Sequence, residues 1–174
     1  IGVRLGGSIR HLRGSDAGPT GMLLVRPGRI RSVDIARIAL ERALLPPSQA
    51  ARPSASVLGF GEGRAVVCYT LAEFANEREW IEKLLGWYMR GMRQPVHAFP
   101  NCARAFAEAW VKGKGASPSQ AAEKAWLEGE YPEGIDAFNA LISRHRGEAV
   151  LDEQFEAFAS EVYVPLHRML AKVK

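Results

Sequence analysis

Proline and glycine divide this chain into short apolar runs and longer amphipathic segments, and the order of these pieces constrains the fold most strongly. Residues 3–12 have a strand pattern, 14–21 are rich in turn-forming residues, and 22–25 form a compact apolar run. Together these three segments predict a β-hairpin. Ser32 can cap a helix that reaches Leu45, where Pro46-Pro47 ends it because proline cannot continue the helical hydrogen bonding.

A second pair of strands and a second helix are predicted further along the chain. Residues 56–60 and 65–69 are strand-like, and the short glycine-containing segment 61–63 joins them as a hairpin. A long helix should then run from about residue 71 to 90, with Gly91 suited to end it. Its apolar residues recur at helical spacing and predict one apolar face, which consists of Ile81, Leu84, Leu85, Tyr88 and Met92.

The remaining chain is predicted to be helical. Asn101 can cap a helix that ends near residue 111, and Ser117-Pro118-Ser119-Gln120 has the residue types that begin a helix. Further helices are expected at 135–145 and 151–172, the last with a kink at Pro165. Two strand pairs, each followed by a helix, and then several helices predict an α/β or α+β layered domain.

The positive charge of the chain is concentrated at its N-terminal end. The whole chain has a net charge of +4. Guanidinium groups bind phosphates and carboxylates through two parallel hydrogen bonds, so clustered arginines can contact DNA or an acidic partner protein, while a solvated basic face accounts for them equally well. Residues 1–31 contain Asp16 as their single acidic residue and six arginines, namely Arg4, Arg10, Arg13, Arg26, Arg29 and Arg31.

The sequence argues against several other kinds of site. Cys68 and Cys102 are a single, widely spaced pair, which is neither a disulfide framework nor a metal motif. No phosphate-binding loop of the G-x-x-x-x-G-K-[ST] type is present, so no ATP site is expected. We expect a cytoplasmic fragment of a longer protein, because the chain begins with Ile1 and has neither a signal-peptide pattern nor an apolar run long enough to span a bilayer.

Three long segments carry a pattern that covers nearly the whole chain. The segment SVLGFGEGRAVVCYTLAEFANEREWIEKLLGWYMRGMRQPVHAFPNCARAFAEAW contains a strand hairpin, a long helix ending in an aromatic pair, a G-x-x-x-P turn and a P-x-x-A helix. The segment GMLLVRPGRIRSVDIARIALERALL precedes it, and LDEQFEAFASEVYVPL follows it. In this order the segments resemble the family of C-terminal domains of RecC, the gamma subunit of exodeoxyribonuclease V.

The resemblance implies a restriction-endonuclease-like mixed sheet flanked by helices, with a nuclease-like core in residues 1–93 and a helical extension in 94–174 packed on the same domain. Active nucleases of this class hold Mg²⁺ with an acid after a G-x-I strand and with a D-x-K or E-x-K pattern on the next strand. Here Arg10 follows Gly7-Ser8-Ile9, and Leu24 and Arg26 take the places of the second acid and the lysine. The resemblance therefore implies an inactive nuclease-like domain without catalytic residues, metal or other cofactor.

The resemblance also implies a place in the RecBCD helicase–nuclease, which repairs DNA double-strand breaks by homologous recombination. RecB-like and RecD-like subunits are then the expected partners, and DNA is expected in the full complex. Trp87 lies off the predicted apolar face of its helix and is expected to face a partner. The candidate contacts to DNA or to a partner are Arg10, Arg13, Arg26, Arg29 and Arg31.

Two other hypotheses stay open at this point. A metal-dependent nuclease with an atypical ligand set would have to use the acidic cluster near Tyr131, although a solvated acidic turn accounts for that cluster as well. Its members are Glu128, Glu130, Glu133 and Asp136. A stand-alone adaptor without a DNA role is the other hypothesis, and the start at Ile1 argues for a fragment instead.

Overall fold

The computed structural model describes residues 9, 11–15, 18–45, 53–61, 64–72, 76–113, 115, 117–128, 132–143 and 150–173. The chain divides into two compact units. The sheet unit comprises Ile1–Ile30, Asp34–Ala72 and Ala171–Lys174, and the helical unit comprises Arg31–Val33 and Glu73–Leu170. The predicted fold class is confirmed. A sheet of mixed parallel and antiparallel strands has flanking helices, and further helices follow in the C-terminal part of the chain.

The described strands form one five-stranded mixed sheet in the order β1-β2-β3-β4-β5. Strand β2 is antiparallel to β1 and parallel to β3, and β3 is antiparallel to β4. A parallel pair needs a crossover connection, which α1 (Ser32–Ala43) provides between β2 and β3. The strands are β1 (Leu12–Ser15), β2 (Gly18–Arg29), β3 (Ser54–Phe60), β4 (Val66–Leu71) and β5 (Leu170–Val173).

Both predicted hairpins are present, with shifted bounds. β1 and β2 form the first, although most of the predicted strand 3–12 lies outside the described residues. Strand β2 continues past Pro27 to Arg29, where the sequence predicted an end, and its register with β3 shifts between Val25 and Arg29. Such a bulge accommodates a proline within a sheet, because the residue has no N–H to pair.

Gly59 on β3 permits a close approach beside this bulge. A Cβ atom at this position would lie 2.8 Å from Ile30 Cγ1 and 3.0 Å from the carbonyl oxygen of Gly28. The first distance is shorter than real Cβ contacts and the second is tighter than most of them, so glycine fits here without a shift of its neighbours.

The core of the sheet unit follows from the β2–β3 register. Leu24 pairs with Val57, and both side chains are buried. On α1, Ile35 and Ile38 are buried at helical spacing. Arg42 is buried as well and donates hydrogen bonds to the carbonyl oxygens of Leu71 and Ala72, each at 2.9 Å, which ties α1 to the end of β4.

The helical unit contains the remaining helices, whose described bounds differ from the prediction mainly at their ends. α4 begins with the predicted capping box, in which Ser117 and Gln120 hydrogen-bond to each other's backbone N–H. No described helix combines the length and apolar character that crossing a bilayer requires. The helices are α2 (Glu77–Gly91), α3 (Pro100–Lys112), α4 (Pro118–Leu127), α5 (Ala137–Ser143), α6 (Glu153–Phe158) and α7 (Val164–Arg168), with a 3₁₀ turn at Glu133–Ile135.

The terminal helix predicted over 151–172 is present in part, because the helical residues run from Glu153 to Arg168 and are interrupted by a different helix type. A π-helical turn at Ala159–Tyr163 separates α6 from α7, and β5 takes over at Leu170. Pro165 lies in the first turn of α7, directly after the π-helical turn. The change of helix type just before Pro165 therefore accommodates a residue that has no backbone N–H.

Aromatic rings form the core of the helical unit. Phe99 contacts Trp126 edge-on, with ring centroids 4.7 Å apart. Phe106 contacts Phe155 in a T-shaped pair at 6.1 Å, and Phe155 also lies near Phe99. Edge-to-face pairs of this kind add to the burial of apolar area, so these rings anchor α3 against α4 and α6.

Candidate interface of the basic N-terminal segment

The described candidate arginines lie around β1 and β2. Arg13 is an exposed residue of β1, and Arg26 and Arg29 lie on β2, the neighbouring antiparallel strand. Arg31 is exposed just before α1 and belongs to the helical unit. Arg10 lies outside the described residues. The sheet unit thus brings Arg13, Arg26 and Arg29 onto the first two strands of its sheet.

Arg26 is held within the sheet unit. Its Nε donates to the carbonyl oxygen of Arg29 at 2.8 Å, and its Nη1 donates to Asp34 Oδ1 at 3.2 Å. Asp34 is buried and lies in the first turn of α1, where a carboxylate also meets the positive end of the helix dipole. Arg26 therefore joins the end of β2 to the start of α1, and part of its charge is compensated inside the domain.

Arg29 is more exposed than Arg26. It is the last residue of β2, and its side chain is exposed, as is that of Arg13. Exposed guanidinium groups can bind a phosphate or a carboxylate without the cost of removing a buried charge from its partner. Arg13 and Arg29 thus present guanidinium groups at the surface of the sheet unit, within reach of an external ligand.

A carboxylate beside this segment was not anticipated from the sequence. Glu41 on α1 accepts hydrogen bonds from His11 Nδ1 at 2.8 Å and from Arg37 Nε at 3.0 Å. Partial burial opposes the charged form, yet the hydrogen bonds from His11 and Arg37 outweigh it and hold the pKa of Glu41 below its usual range. His11 and Glu41 are 30 residues apart in sequence, so no local pattern could reveal this contact.

Leu24 lies where the resemblance expects a metal-binding carboxylate. It is 6% exposed, on β2, with its side chain in the apolar core of the sheet unit. Arg26, at the place of the expected lysine, holds Asp34 as described above. An apolar side chain cannot ligate Mg²⁺, and a guanidinium repels it.

The described residues of the predicted acidic cluster have different structural roles in the helical unit. Glu133 is buried, and its two carboxylate oxygens accept from the backbone N–H groups of Asn101 and Cys102. Asp136 is exposed and accepts from the backbone of α5 at Phe138. Glu130 lies outside the described residues. Within the described part of the chain, no group of three His, Cys, Asp or Glu side chains is arranged to hold a metal ion.

The orientation expected for Trp87 is corrected by the structure. Its ring is 7% exposed, makes an edge contact with Phe158 at 5.5 Å, and lies under the guanidinium of Arg90 at 4.6 Å. The indole Nε1 donates to Glu161 Oε2 at 2.7 Å. Hydrogen bonds from Lys83 and then from Trp87 hold the pKa of Glu161 below its usual range. Trp87 thus faces the interior of its own unit.

The buried face of α2 also differs from the predicted one. Trp80 and Trp87 are buried, whereas Tyr88 and Met92, which belong to the predicted apolar face, are exposed. Trp80 Nε1 donates to the carbonyl oxygen of Val162 at 3.0 Å. A buried indole needs a partner for its N–H, and these distant acceptors supply one for each of the two tryptophans on the inward face of α2.

Comparison with known proteins places these features in a family. A search of curated proteins gave no match to the chain. The family model described as RecC C-terminal domain matches residues 1–110, which include strands β1 to β4, helices α1 and α2, and most of α3. This is more than half of the 174 residues. The chain therefore belongs to the RecC C-terminal domain family, whose RecC-type subunits are part of exodeoxyribonuclease V and have a role in DNA recombination and repair.

Proposed function

We propose that this chain is the non-catalytic C-terminal domain of a RecC-type subunit in a cytoplasmic RecBCD helicase–nuclease. There it scaffolds the RecB-like and RecD-like subunits and contacts DNA during double-strand-break repair by homologous recombination. The family match over residues 1–110 carries this proposal. We retain the proposed division into a nuclease-like core at 1–93 and a helical extension at 94–174.

The residues of β2 support the absence of catalysis in this domain. A two-metal or one-metal nuclease needs carboxylates that converge on the scissile phosphate. At the expected place the buried Leu24 offers no ligand, and the nearby Asp34 is engaged by Arg26. Helicase and nuclease activities are therefore assigned to the assembled complex.

The DNA contact is proposed for the exposed arginines. Arg13 and Arg29 lie on adjacent strands of the sheet unit, and Arg31 follows closely in the sequence. Each cation that meets a phosphate releases about one counterion, which makes binding weaken with salt. Arg26 is expected to contribute mainly to stability, because its guanidinium already holds Asp34.

Fluorescence anisotropy with a short forked DNA across a salt series tests this proposal. Arg29→Ala should lower the slope of log affinity against log salt by about 1, because one phosphate contact is lost. Arg168→Ala, which removes an exposed arginine of the helical unit, is the matched control and should leave the slope unchanged. Equal slopes in all three proteins, or no binding at low salt, would show that the arginines do not track phosphates.

The same preparation tests the rival hypothesis of an active nuclease. Linear DNA incubated with Mg²⁺ or Mn²⁺ should stay intact in the presence of the chain. Metal-dependent cleavage that disappears in Glu130→Ala would refute the non-catalytic assignment. Glu133→Ala is unsuited as a probe, because Glu133 holds the start of α3.

A further inference from the structure

The two faces of the described sheet differ in burial. Side chains alternate between the faces along a strand, and residues paired across two strands share a face, as the hydrogen bond between the Ser56 and Thr70 hydroxyls at 3.0 Å illustrates. One face contains Leu24, Val57 and Val67, which are buried. On the other face, every residue paired in the registers of β2 to β4 is exposed or half-buried. This surface is hereafter the open face, and its members include Arg13, Val25, Arg29, Leu58, Phe60 and Val66.

The centre of the open face is apolar and includes an aromatic ring. Phe60 at the end of β3 pairs with Val66 on β4. Phe60 is 39% exposed, Val66 is 69% exposed, and Val25 on the neighbouring β2 is 59% exposed. Adjoining apolar side chains at the surface mark a binding site, so this centre suits a ligand with flat or apolar parts.

Positive charge borders this apolar centre on the same face. Arg13 pairs with Gly21, and Arg29 pairs with Phe60, so the registers place both arginines on the open face. Both side chains are exposed. Among the residues paired on this face in the registers of β1 to β4, none is Asp or Glu. The ligand that fits the open face therefore carries negative charge as well.

The two arginines also define the length of the ligand. Gly21, which is paired with Arg13, lies eight residues before Arg29 on β2. At about 3.3 Å per residue, the two positions are at most about 26 Å apart. A DNA strand has one phosphate per roughly 3.4 Å of duplex axis, so about eight nucleotides reach both arginines, and fewer do so when the strand is stretched.

Resting on the proposed function, we infer that the open face binds single-stranded DNA. The phosphates of the strand meet Arg13 and Arg29, and one of its bases stacks on the ring of Phe60. Neighbouring bases contact Val25 and Val66. Sheet surfaces that combine aromatic rings with cations bind single strands in this manner, because an unpaired strand exposes both its bases and its backbone.

Two other occupants fit the open face less well. A DNA duplex keeps its bases stacked inside and presents its phosphates, which leaves the apolar centre without a partner. A helix of a partner protein rises by 1.5 Å per residue, so it would reach both arginines only with acidic residues roughly 17 positions apart. A DNA strand has a charge at every nucleotide and therefore meets both arginines without any special spacing.

Fluorescence anisotropy of the full chain with a 12-nucleotide single strand, and with the same sequence as a duplex, tests the inference. Both ligands are longer than the distance between the two arginines. The single strand should bind about 10-fold more tightly or better, because its bases can stack on the protein. Equal affinities, or tighter binding of the duplex, would overturn the inference.

Variants of the open face separate stacking from charge. Phe60→Ala should weaken binding of the single strand by about 5-fold or more and leave its salt dependence unchanged, because no cation is lost. Arg13→Ala should lower the slope of log affinity against log salt by about 0.7, the value for one contact to a single strand. Phe138→Ala removes an aromatic ring of the helical unit that is 69% exposed, and this matched control should change affinity by less than about 2-fold.

A strand of abasic nucleotides gives a second measure of stacking. It retains the phosphates but has no bases, so Phe60→Ala should bind it as tightly as the parent does. Val66→Glu, at an exposed position beside Phe60, should weaken binding of the normal strand by about 5-fold or more through repulsion of the phosphates, and it should melt within about 2 °C of the parent. Unchanged binding of the normal strand by both Phe60→Ala and Val66→Glu would overturn the inference.

The outcomes distinguish this inference from the proposed function. DNA binding that depends on Arg13 but responds neither to Phe60→Ala nor to the difference between single strand and duplex overturns the inference alone. A loss of equal size in Phe138→Ala does the same, because the effect would not be specific to the open face. A chain that binds no DNA at low salt overturns both the inference and the proposed DNA contact.

Discussion

At the scale of single residues, a buried carboxylate replaces the helix cap that the sequence suggested. Asn101 was expected to cap α3, but it lies inside the first turn, and Phe99 at the cap position offers no side-chain acceptor. Glu133 supplies both acceptors, 3.0 Å from the backbone nitrogen of Asn101 and 2.8 Å from that of Cys102. Burial, and then the nearby Glu133 carboxylate, raise the pKa of the Cys102 thiol well above its usual range.

We predict that Glu133→Gln destabilises the chain by about 1–3 kcal/mol, because the amide can accept from one of the two N–H groups and turns a donor toward the other. For a chain of this size the melting temperature should fall by roughly 2–4 °C per kcal/mol. Glu128→Gln, at an exposed position near the same turn, is the control and should melt as the parent does. Equal melting of Glu133→Gln and the parent would contradict the capping role.

At the scale of elements, one carboxylate caps the start of α6 and also contacts a buried histidine. Asp152 is the N-cap of α6 and accepts from the backbone N–H of Phe155 at 3.0 Å. It also hydrogen-bonds to Nδ1 of the buried His97 at 3.0 Å. Partial burial opposes the charged form, yet the hydrogen bonds from Phe155 and His97 outweigh it and lower the pKa of Asp152.

This lowered pKa predicts a pH-dependent contribution of Asp152 to the free energy of unfolding. The contribution is present above the unfolded pKa of about 3.9 and is lost as the pH falls through the lower, folded pKa. Asp152→Asn keeps a capping oxygen but removes the charge, so it should be less stable than the parent at pH 7. The difference in the free energy of unfolding between the parent and Asp152→Asn should shrink on acidification, as urea unfolding at several pH values would reveal. Glu153→Gln is the control, and a gap of constant size in Asp152→Asn would count against this assignment.

At the scale of the whole molecule, the two units contain elements of very different burial. Strand β3 is hydrogen-bonded on both sides by β2 and β4, and α3 buries Cys102, Ala103, Phe106 and Ala107. Helix α5 has seven residues, and its described side chains are exposed or half-buried. So short a helix has little stability of its own.

Hydrogen exchange of the isolated chain should reflect this difference. Amides of β3 and α3 should exchange through global unfolding, whereas those of α5 should exchange through local opening and at least about 100-fold faster. Mass spectrometry of peptides from each element measures the rates, and the chain in denaturant provides the unprotected reference. Comparable protection of α5 and α3 would show that α5 is held more firmly than its exposure indicates.

The sequence alone was sufficient for the class of the fold, the two strand pairs, the helix between them and the capping box of α4. These features depend on turn residues and periodicities within a few positions of one another, so neighbouring residues carry the signal. The same segments, taken in order, resemble the RecC C-terminal domain family, and the family match confirms that assignment.

Tertiary structure alone decided the roles of the key side chains. Arg26 was a candidate ligand site by charge, yet its partner Asp34 became visible only when β2 and α1 were placed in space. The N–H of the buried Trp87 is accepted by Glu161, 74 residues away, and α3 is capped from 31 residues away by Glu133. A buried polar group needs a partner, and the partner's position is a property of the folded chain that no local pattern records.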